Sequence, residues 1–345
     1  MKLPESKYFD HKNFVVSDKS VIKNLTIAYR TWGKLNQKKD NAVLICHGYT
    51  NHHHALDKDI GWFNNLMGAG KALDTNKYFL ICSNMLGSSF GSTGPKSINE
   101  KTNKPYGSTF PKIKNLDIIN AQKLLIESLK IKKLHAVLGY SFGGHLVYLW
   151  ATEFPDSLCK VISIAGSLDR WDVNKEKIEL IEKPFSDCKN WNNGNFYDLD
   201  HKEIKNALIK YRIGVLDHYG FGDYLKTQYD DQKKIKNLIE TSAKSWANYF
   251  DPNSLIILRR ANYNSSAFKK ASQIKVPILK ILAKTDKVTN MENGYKTIEY
   301  LKSLNIKCSL IELKTKFGHY GPMVDSLEWS SKLKNFIEDN ILLIK

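Results

Sequence analysis

Six short apolar runs are the feature that most restricts the fold of this chain. They are continuously apolar rather than alternating, which is typical of strands in a parallel sheet that is covered on both faces. Segments with helical spacing separate them, and this alternation predicts a doubly wound, mostly parallel α/β sheet. The runs are Ala42–Cys46, Tyr78–Cys82, Leu134–Leu138, Lys160–Ala165, Val276–Ala283 and Cys308–Leu313.

The middle of the chain has a different pattern. It contains no run that a buried strand would need, and the segments Lys202–Tyr211 and Lys233–Tyr249 have helical spacing. We therefore predict an α/β core formed by residues 1–168 and 273–345, with a helical lid inserted at residues 169–272. Such an insertion is expected over the carboxyl edge of the sheet, where ligands bind in α/β folds.

A glycine-rich turn with a central serine follows the third run. In this serine turn (residues 139–143), Gly139, Ser141 and Gly143 match the pattern G-x-S-x-G between a predicted strand and a predicted helix. That context strains the serine backbone and lifts its hydroxyl out of the sheet, and larger residues in place of the glycines would clash with the turn. The alternative is a phosphate-binding turn, but neither G-x-G-x-x-G nor a Gly-Lys-Ser/Thr ending is present.

A serine nucleophile needs a base and an orienting acid, because a free hydroxyl is a weak nucleophile. In folds with this turn they follow in the order serine, acid, histidine, each after a strand. Asp286 follows the run Val276–Ala283, and His319 follows Cys308–Leu313. Each could by itself be an ordinary turn or loop residue. Their joint occurrence in this order predicts a catalytic triad with Ser141.

Two backbone N–H groups are needed to stabilise an oxyanion, and they come from two turns. One belongs to Phe142, the residue after the serine. The other is expected in the loop after the first run, where Gly48 allows the chain to turn and Tyr49 is the predicted donor.

Three adjacent histidines, His52, His53 and His54, raise the question of a metal site. Adjacent histidines converge poorly on one ion, and no Asp, Glu or Cys has ligand spacing to them. We therefore predict no metal and a polar loop near the mouth of the site. No permanently bound cofactor is predicted either.

Charge and cysteine content bear on partners and location. The formal net charge is +17, but only five residues are arginine and the lysines are scattered. Because phosphate and base recognition favour arginine, we predict a solvated basic surface and no nucleic-acid partner. No apolar run approaches the ~18 residues of a membrane span, and no signal peptide is predicted. Five cysteines without a C-x-x-C pair indicate a reducing compartment, and we expect the cytoplasm.

Several segments outside the serine turn resemble one family. They are AYRTWGKLNQKKDNAVLICHGYT, GWFNNLMGAGKALDTNKYFLICSNMLGSSFGSTGP, SINEKTNKPYGSTFP, YRIGVLDHYG and YFDPNSLIILRRANYN. The stretches SNMLG and GSTGP are the most specific. From about Leu25 to the C-terminus, the chain resembles the homoserine O-acetyltransferases, which are acyltransferases of methionine biosynthesis with the α/β-hydrolase fold.

The resemblance implies a set of roles. Ser141, Asp286 and His319 correspond to the family's triad, and Arg212, seven residues before Tyr219, corresponds to the arginine that binds the acceptor's carboxylate. A surface salt bridge within the insertion is the alternative for Arg212. The resemblance also implies acetyl-CoA or another acyl-CoA as co-substrate, small-molecule substrates and a homodimer.

Two positions depart from the family pattern. The family usually has Asp directly after the catalytic histidine, where this chain has Tyr320, a candidate substrate contact. Its serine turn usually reads Gly-Gly-Ser-Met-Gly-Gly, whereas Tyr140 and Phe142 flank the serine here. A tyrosine carries no negative charge at neutral pH and does not attract an ammonium group as Asp does. The acceptor therefore stays open.

The leading functional hypothesis is a ping-pong acyltransferase. It moves an acyl group from acyl-CoA to Ser141 and then to a small hydroxyl acceptor such as homoserine. The alternative is an esterase or other hydrolase with the same triad, in which water is the acceptor. The two differ in how well the insertion excludes water, which no sequence pattern measures. A non-catalytic binding protein is a third hypothesis, and the complete triad argues against it.

Overall fold

The computed structural model describes residues 3–169, 175–263 and 265–338. The strands are β1 (Lys7–Val15), β2 (Val21–Trp32), β3 (Ala42–Cys46), β4 (Phe79–Ser83), β5 (Ile98–Asn99), β6 (Lys104–Pro105), β7 (Ala136–Tyr140), β8 (Val161–Ile164), β9 (Ile278–Ala283) and β10 (Cys308–Leu313). One eight-stranded sheet has the order β1-β2-β4-β3-β7-β8-β9-β10, and β5 and β6 form a separate pair. The six strands from β4 to β10 in that order are parallel. Each contains most of one predicted run, so the doubly wound α/β prediction is confirmed.

Apolar side chains cover the sheet on both faces. Along β3, Ala42, Leu44 and Cys46 belong to one hydrophobic cluster, whereas Val43 and Ile45 belong to another on the opposite face. Successive side chains of a strand point to opposite faces, so both faces of β3 are buried. This double burial is the reason why the central runs are continuously apolar.

The first two strands were missed by the sequence analysis. β1 and β2 pair antiparallel at one edge of the sheet, and β2 also pairs antiparallel with β4. Many of their residues are exposed, and Phe14, Ile22, Leu25 and Ile27 are among the few that are buried. Antiparallel strands with one solvated face do not need a continuous apolar run, so the pattern used for the other six does not detect β1 and β2.

The helices are α1 (Asn115–Ser128), α2 (Phe142–Glu153), α3 (Lys175–Ser186), α4 (Lys202–His218), α5 (Phe221–Lys226), α6 (Gln232–Ala247), α7 (Pro252–Asn262), α8 (Met291–Ser303), α9 (Gly321–Val324) and α10 (Leu327–Ile337). Short 3-10 turns occur at Gly107–Thr109, Asn192–Gly194, Phe268–Gln273 and Gly318–Tyr320. None of the helices in the described part of the chain is long and apolar enough to span a bilayer.

Five helices, α3 to α7, lie within the segment predicted as an insertion. Four of them, α3, α4, α6 and α7, contribute to a third hydrophobic cluster, which also includes Trp191 and Phe250 from the segments between the helices. The insertion therefore has apolar packing of its own beside the two clusters of the sheet. The predicted start of the insertion, at residue 169, adjoins residues 170–174, which lie outside the described residues. The division into core and lid stays a prediction.

Candidate active site

Ser141 lies at the end of β7, directly before α2. Its backbone has φ +57° and ψ −113°, and the positive φ is unusual for a residue other than glycine. The Ser141 amide donates to the Ile164 carbonyl at 2.8 Å, which fixes the turn to β8. Ser141 therefore has the strained conformation that the serine turn predicts, and its side chain is 9% exposed.

Two glycines allow the serine turn to pack against its neighbours. A Cβ on Gly139 would lie 2.1 Å from the carbonyl oxygen of Gly143. A Cβ on Gly143 would lie 2.0 Å from the carbonyl oxygen of Cys46, the last residue of β3. Both neighbours are backbone atoms, which move only if the turn or the strand moves.

We expect Gly143→Ala to lower the free energy of unfolding by about 3 kcal/mol, because the new methyl group overlaps the backbone of β3. Urea unfolding followed by circular dichroism measures the change. Gly214→Ala is the matched control, since a Cβ at that position in α4 has no atom within 4 Å. The control is expected to be neutral or slightly stabilising, as Ala favours helix over Gly. Equal stability of the two variants would contradict this account of the turn.

The three predicted triad side chains form one hydrogen-bonded series. Ser141 Oγ lies 2.8 Å from Nε2 of His319, and Nδ1 of His319 lies 2.8 Å from Oδ2 of Asp286. The other carboxylate oxygen of Asp286 accepts from the amides of Val288 at 2.7 Å and Thr289 at 3.1 Å. His319 and Asp286 are buried, so the series is shielded from water.

Contacts from three directions hold the loop that carries His319. The Tyr140 hydroxyl donates to the His319 carbonyl, and the Tyr320 amide donates to the Tyr219 carbonyl at 2.8 Å. Thr285 Oγ1 accepts from the Gly318 amide at 3.1 Å. The sequence analysis treated Tyr140 only as a departure from the family pattern, and no motif indicates its contact with the histidine loop.

The loop after β3, residues 47–51 (the oxyanion loop), passes next to Ser141. A Cβ built on Gly48 would lie 3.6 Å from the Ser141 Cβ. His47 is fully buried, and burial lowers its pKa to about 4, so its imidazole is neutral. Its Nδ1 bonds the Gly48 carbonyl at 2.8 Å, and its Nε2 accepts from the Met85 amide at 3.2 Å. Sequence reasoning missed this role of His47.

The side chains of Tyr49 and Phe142, the two residues predicted to supply the oxyanion donors, are in contact. The Tyr49 and Phe142 rings stack with centroids 6.0 Å apart. Phe142 is the first residue of α2, so its amide has no partner within the helix. Among the described residues, no backbone carbonyl accepts from the Tyr49 amide. Neither backbone amide has a carbonyl partner among the bonds of the described residues, and the role of both as oxyanion donors stays a prediction.

Ser141 opens on a cavity of about 580 Å³, the Ser141 cavity, between the oxyanion loop and the helical insertion. Arg212 of α4 lines it and places its guanidinium over the Trp246 ring, 5.0 Å from the centroid. Nη1 of Arg212 donates to Thr50 Oγ1 at 2.7 Å. Burial lowers the pKa of Arg212 from its ordinary value, but a guanidinium stays charged at neutral pH.

Aromatic side chains form another part of the cavity wall. Tyr219 packs on His319 with ring centroids 4.7 Å apart. Tyr320 contacts Phe221 edge-on at 5.3 Å and Tyr224 at 5.8 Å. The structure therefore brings Arg212, Tyr219 and Tyr320 to one cavity with Ser141.

Two of the three adjacent histidines are more buried than predicted. His52 lines the Ser141 cavity, but His53 and His54 are almost fully buried. His53 bonds Ser6 Oγ at 2.7 Å, and His54 bonds Asp57 at 2.6 Å. The prediction of a polar loop at the mouth is therefore right only for His52, because the other two rings are packed below it. In the described part of the chain, no group of three or more His, Cys, Asp or Glu is placed to hold a metal.

Comparison with known proteins identifies the family. A family model for the alpha/beta hydrolase fold matches residues 41–321. The homoserine O-acetyltransferase of Pasteurella multocida (strain Pm70) is 32% identical over 358 residues, which cover 97% of this chain and 98% of that protein. The chain belongs to the homoserine O-acetyltransferase family. This membership confirms the α/β-hydrolase fold and makes the chain a member of a family of acyltransferases.

Solved structures similar to this member of the homoserine O-acetyltransferase family include an esterase and a transferase. Esterase E22 has a TM-score of 0.86 and 27% identity, over 96% of this chain and 99% of its own. The homoserine O-acetyltransferase from Bacillus anthracis has a TM-score of 0.82 and 25% identity, over 98% of each chain. The same architecture thus occurs in proteins named for transfer and for hydrolysis.

Proposed function

We propose that this protein is a serine-nucleophile acyltransferase that moves an acyl group, in the first instance acetyl, from acyl-CoA to a small hydroxyl compound. The observation that carries the proposal is the hydrogen-bonded series of Ser141, His319 and Asp286 on a cavity that also holds Arg212. The hydrogen-bonded series is what a serine needs to form an acyl-enzyme. Arg212 supplies a cation that can bind the acceptor. Family membership supports both.

In the first step, Ser141 Oγ attacks the thioester carbonyl while Nε2 of His319 takes its proton. The N–H groups of Tyr49 and Phe142 stabilise the oxyanion, a role in which the loss of one donor costs about 3 kcal/mol. The carbon–sulfur bond then breaks, His319 returns the proton to sulfur, and CoA leaves as the thiol. Asp286 holds His319 in the tautomer that carries hydrogen on Nδ1.

In the second step, the acceptor hydroxyl replaces the thiol. His319 takes the proton of that hydroxyl, and its oxygen attacks the ester carbonyl on Ser141. The same two amides stabilise the second oxyanion. The bond between the acyl carbon and Ser141 Oγ breaks, and His319 returns the proton to Ser141. The product is an ester of the acceptor, and the enzyme regains its starting state.

Arg212 is proposed to bind a carboxylate of the acceptor. None of the described carboxylates forms an ion pair with Arg212. The alternative role of Arg212, a surface salt bridge, is therefore not observed among the described residues. Its Nε is buried without a hydrogen-bond partner among the described residues. A buried donor of this kind is costly unless something binds it, and a carboxylate suits a guanidinium.

Tyr320 is proposed to affect which acceptor binds, because it offers no negative charge to an acceptor's ammonium group. We expect Tyr320→Asp to lower the KM for homoserine about tenfold, because it adds a carboxylate to the wall of the Ser141 cavity. Steady-state kinetics with acetyl-CoA held constant measure the effect. Tyr320→Phe is the control, since it removes only the hydroxyl. An unchanged KM for homoserine in Tyr320→Asp, or an equal fall of that KM in Tyr320→Phe, would refute this role.

Hydrolysis is the second candidate function. The similarity to esterase E22 and the aromatic residue at position 320 both favour it. In that case water attacks the ester on Ser141, and the triad and the oxyanion donors act as in transfer. The two functions then differ only in the second step.

One assay separates the two candidates. The purified protein is mixed with acetyl-CoA or succinyl-CoA, with and without homoserine or another hydroxy acid, and the free thiol is followed over time. Transfer predicts one rapid equivalent of thiol per Ser141 and continued release only with an alcohol. Hydrolysis predicts continued release without any alcohol. No release from acetyl-CoA or succinyl-CoA in either condition would refute the proposed donor. The homodimer and the cytoplasmic location stay predictions.

A further inference from the structure

Tyr140 is a buried tyrosine that has no role in the two chemical steps described above. It is the last residue of β7, and Ser141 follows it directly. Its side chain is 6% exposed, and its hydroxyl donates to the carbonyl of His319. One residue therefore belongs to the strand that carries the nucleophile and also bonds the main chain of the base. Because the family's usual serine turn has glycine at this position, the bond is a feature of this chain rather than of the family pattern.

The ring of Tyr140 is held by contacts on several sides. Its centroid lies 5.4 Å from that of the His319 ring and 6.4 Å from that of the Trp62 ring. A Cβ built on Gly48 would lie 3.4 Å from Cδ1 of Tyr140, so the ring also contacts the oxyanion loop. A ring packed in this way directs its hydroxyl to one place, which is the His319 carbonyl.

The His319 carbonyl lies where the chain offers one donor fewer than usual. In a 3-10 turn such as Gly318–Tyr320, a carbonyl bonds the amide three residues later. For His319 that residue is Pro322, which has no N–H. The Tyr140 hydroxyl supplies a hydrogen instead. Burial raises the pKa of Tyr140 well above its ordinary value, so the hydroxyl keeps its proton and remains a donor at neutral and moderately alkaline pH.

Three successive residues, 318–320, are bonded to three different parts of the molecule. The amide of the first donates to Thr285 Oγ1 at 3.1 Å, next to the acid of the triad. The amide of the third donates at 2.8 Å to the carbonyl of Tyr219, which ends α4 of the insertion. The carbonyl of the second, His319, accepts from Tyr140. The Tyr140 bond is thus the one of the three that connects the base to the strand of the nucleophile.

We propose that Tyr140 is a positioning residue, whose hydroxyl holds the main chain of His319 so that Nε2 stays within bonding distance of Ser141 Oγ. This inference rests on the proposed function, in which His319 moves a proton in both steps. A base must lie within hydrogen-bond reach of the proton that it takes, and a misplacement of about 1 Å can cost about 100-fold in rate. Without the hydroxyl, residues 318–320 keep their bonds to Thr285 and Tyr219, and the bond to β7 is lost.

The test removes the hydroxyl and keeps the ring. In Tyr140→Phe we expect kcat with acetyl-CoA to fall about tenfold and KM to stay within about twofold, because the base is displaced while the ring still lines the Ser141 cavity. A tyrosine that only shaped the cavity would change KM instead. Tyr148→Phe is the matched control, since Tyr148 is fully buried in α2 and its hydroxyl has no hydrogen-bond partner among the described residues. Its kcat is expected to stay within about twofold of the wild type.

A second substrate shows whether the effect acts through His319. With 4-nitrophenyl acetate, the initial burst of nitrophenol measures acylation of Ser141, and the steady rate that follows measures deacylation. We expect Tyr140→Phe to lower both rates about tenfold, because His319 acts in both steps. Incorporation of 4-aminophenylalanine at position 140 keeps an N–H donor at the same place, and we expect it to restore most of both rates. Thermal unfolding of each variant checks that the fold is intact.

The outcomes separate this proposal from the proposed function. Unchanged rates in Tyr140→Phe, a fall in only one of the two phases, an equal fall in Tyr148→Phe, or no recovery with 4-aminophenylalanine would overturn the role of Tyr140. If neither acetyl-CoA nor the aryl ester acylates the wild-type protein, the proposed function has failed, and this inference fails with it. If the wild type reacts and Tyr140→Phe matches it, only the role of Tyr140 has failed.

Discussion

Replacing Ser141 with alanine is expected to lower kcat about 10⁶-fold while leaving the fold intact. In the proposed mechanism Ser141 Oγ forms the ester, and His319 has no other nucleophile at 2.8 Å to activate among the contacts described. The change removes one oxygen at a position 9% exposed, so stability should change little. Thiol release from acetyl-CoA measures the rate, and thermal unfolding measures the stability.

Ser242→Ala is the matched control for this prediction. Ser242 lies on α6 and lines the Ser141 cavity, so the control removes the same oxygen from the same cavity without touching the triad. We expect its kcat to stay within about twofold of the wild type. A Ser141→Ala protein that still releases thiol at the wild-type rate would show that another group carries the reaction.

Asp286→Asn is expected to lower kcat about 10⁴-fold. The amides of Val288 and Thr289 both donate to one oxygen of Asp286, and they would hold the amide oxygen of asparagine in the same place. The asparagine NH₂ would then face Nδ1 of His319. Because Nδ1 must accept from it, the imidazole hydrogen moves to Nε2, and His319 no longer takes a proton from Ser141.

Asp325→Asn serves as the control, since it removes the same charge in the segment that follows His319. We expect wild-type kcat in Asp325→Asn and a normal unfolding temperature in both variants. The decisive readout is the pair of rates measured at the same pH. If Asp286→Asn keeps more than about a tenth of the wild-type kcat, the orientation of His319 does not depend on Asp286 in the way described here.

The parallel strands and the close placement of Ser141, Asp286 and His319 were predictable because local patterns and chain order constrain them strongly. A strand buried on both faces has few alternatives to continuous apolar residues, as in Ala42–Cys46. Ser141, Asp286 and His319 each follow such a strand, and the carboxyl ends of parallel strands meet at one edge of the sheet. The order of the strands along the sequence therefore predicts that these three residues lie close together.

Features that depend on contacts between distant segments were not predictable. Tyr140 bonds the carbonyl of His319, a residue 179 positions away, and His47 bonds the amide of Met85, 38 positions away. His53 bonds Ser6, 47 positions away, and Asp57, the partner of His54, accepts from Arg30, 27 positions away. No periodicity or motif encodes such pairs. A further cavity of about 450 Å³ likewise forms only where the loop of residues 88–97 meets the insertion.

Intact-protein mass spectrometry after mixing with acetyl-CoA tests the central claim most directly. The account predicts a mass increase of one acetyl group that maps to Ser141, is absent in Ser141→Ala, and disappears when an acceptor hydroxyl compound is added, as that compound becomes acetylated. If the wild-type protein turns over acetyl-CoA without forming the acetyl-enzyme, or if the acetyl group maps to another residue, the ping-pong mechanism through Ser141 is contradicted.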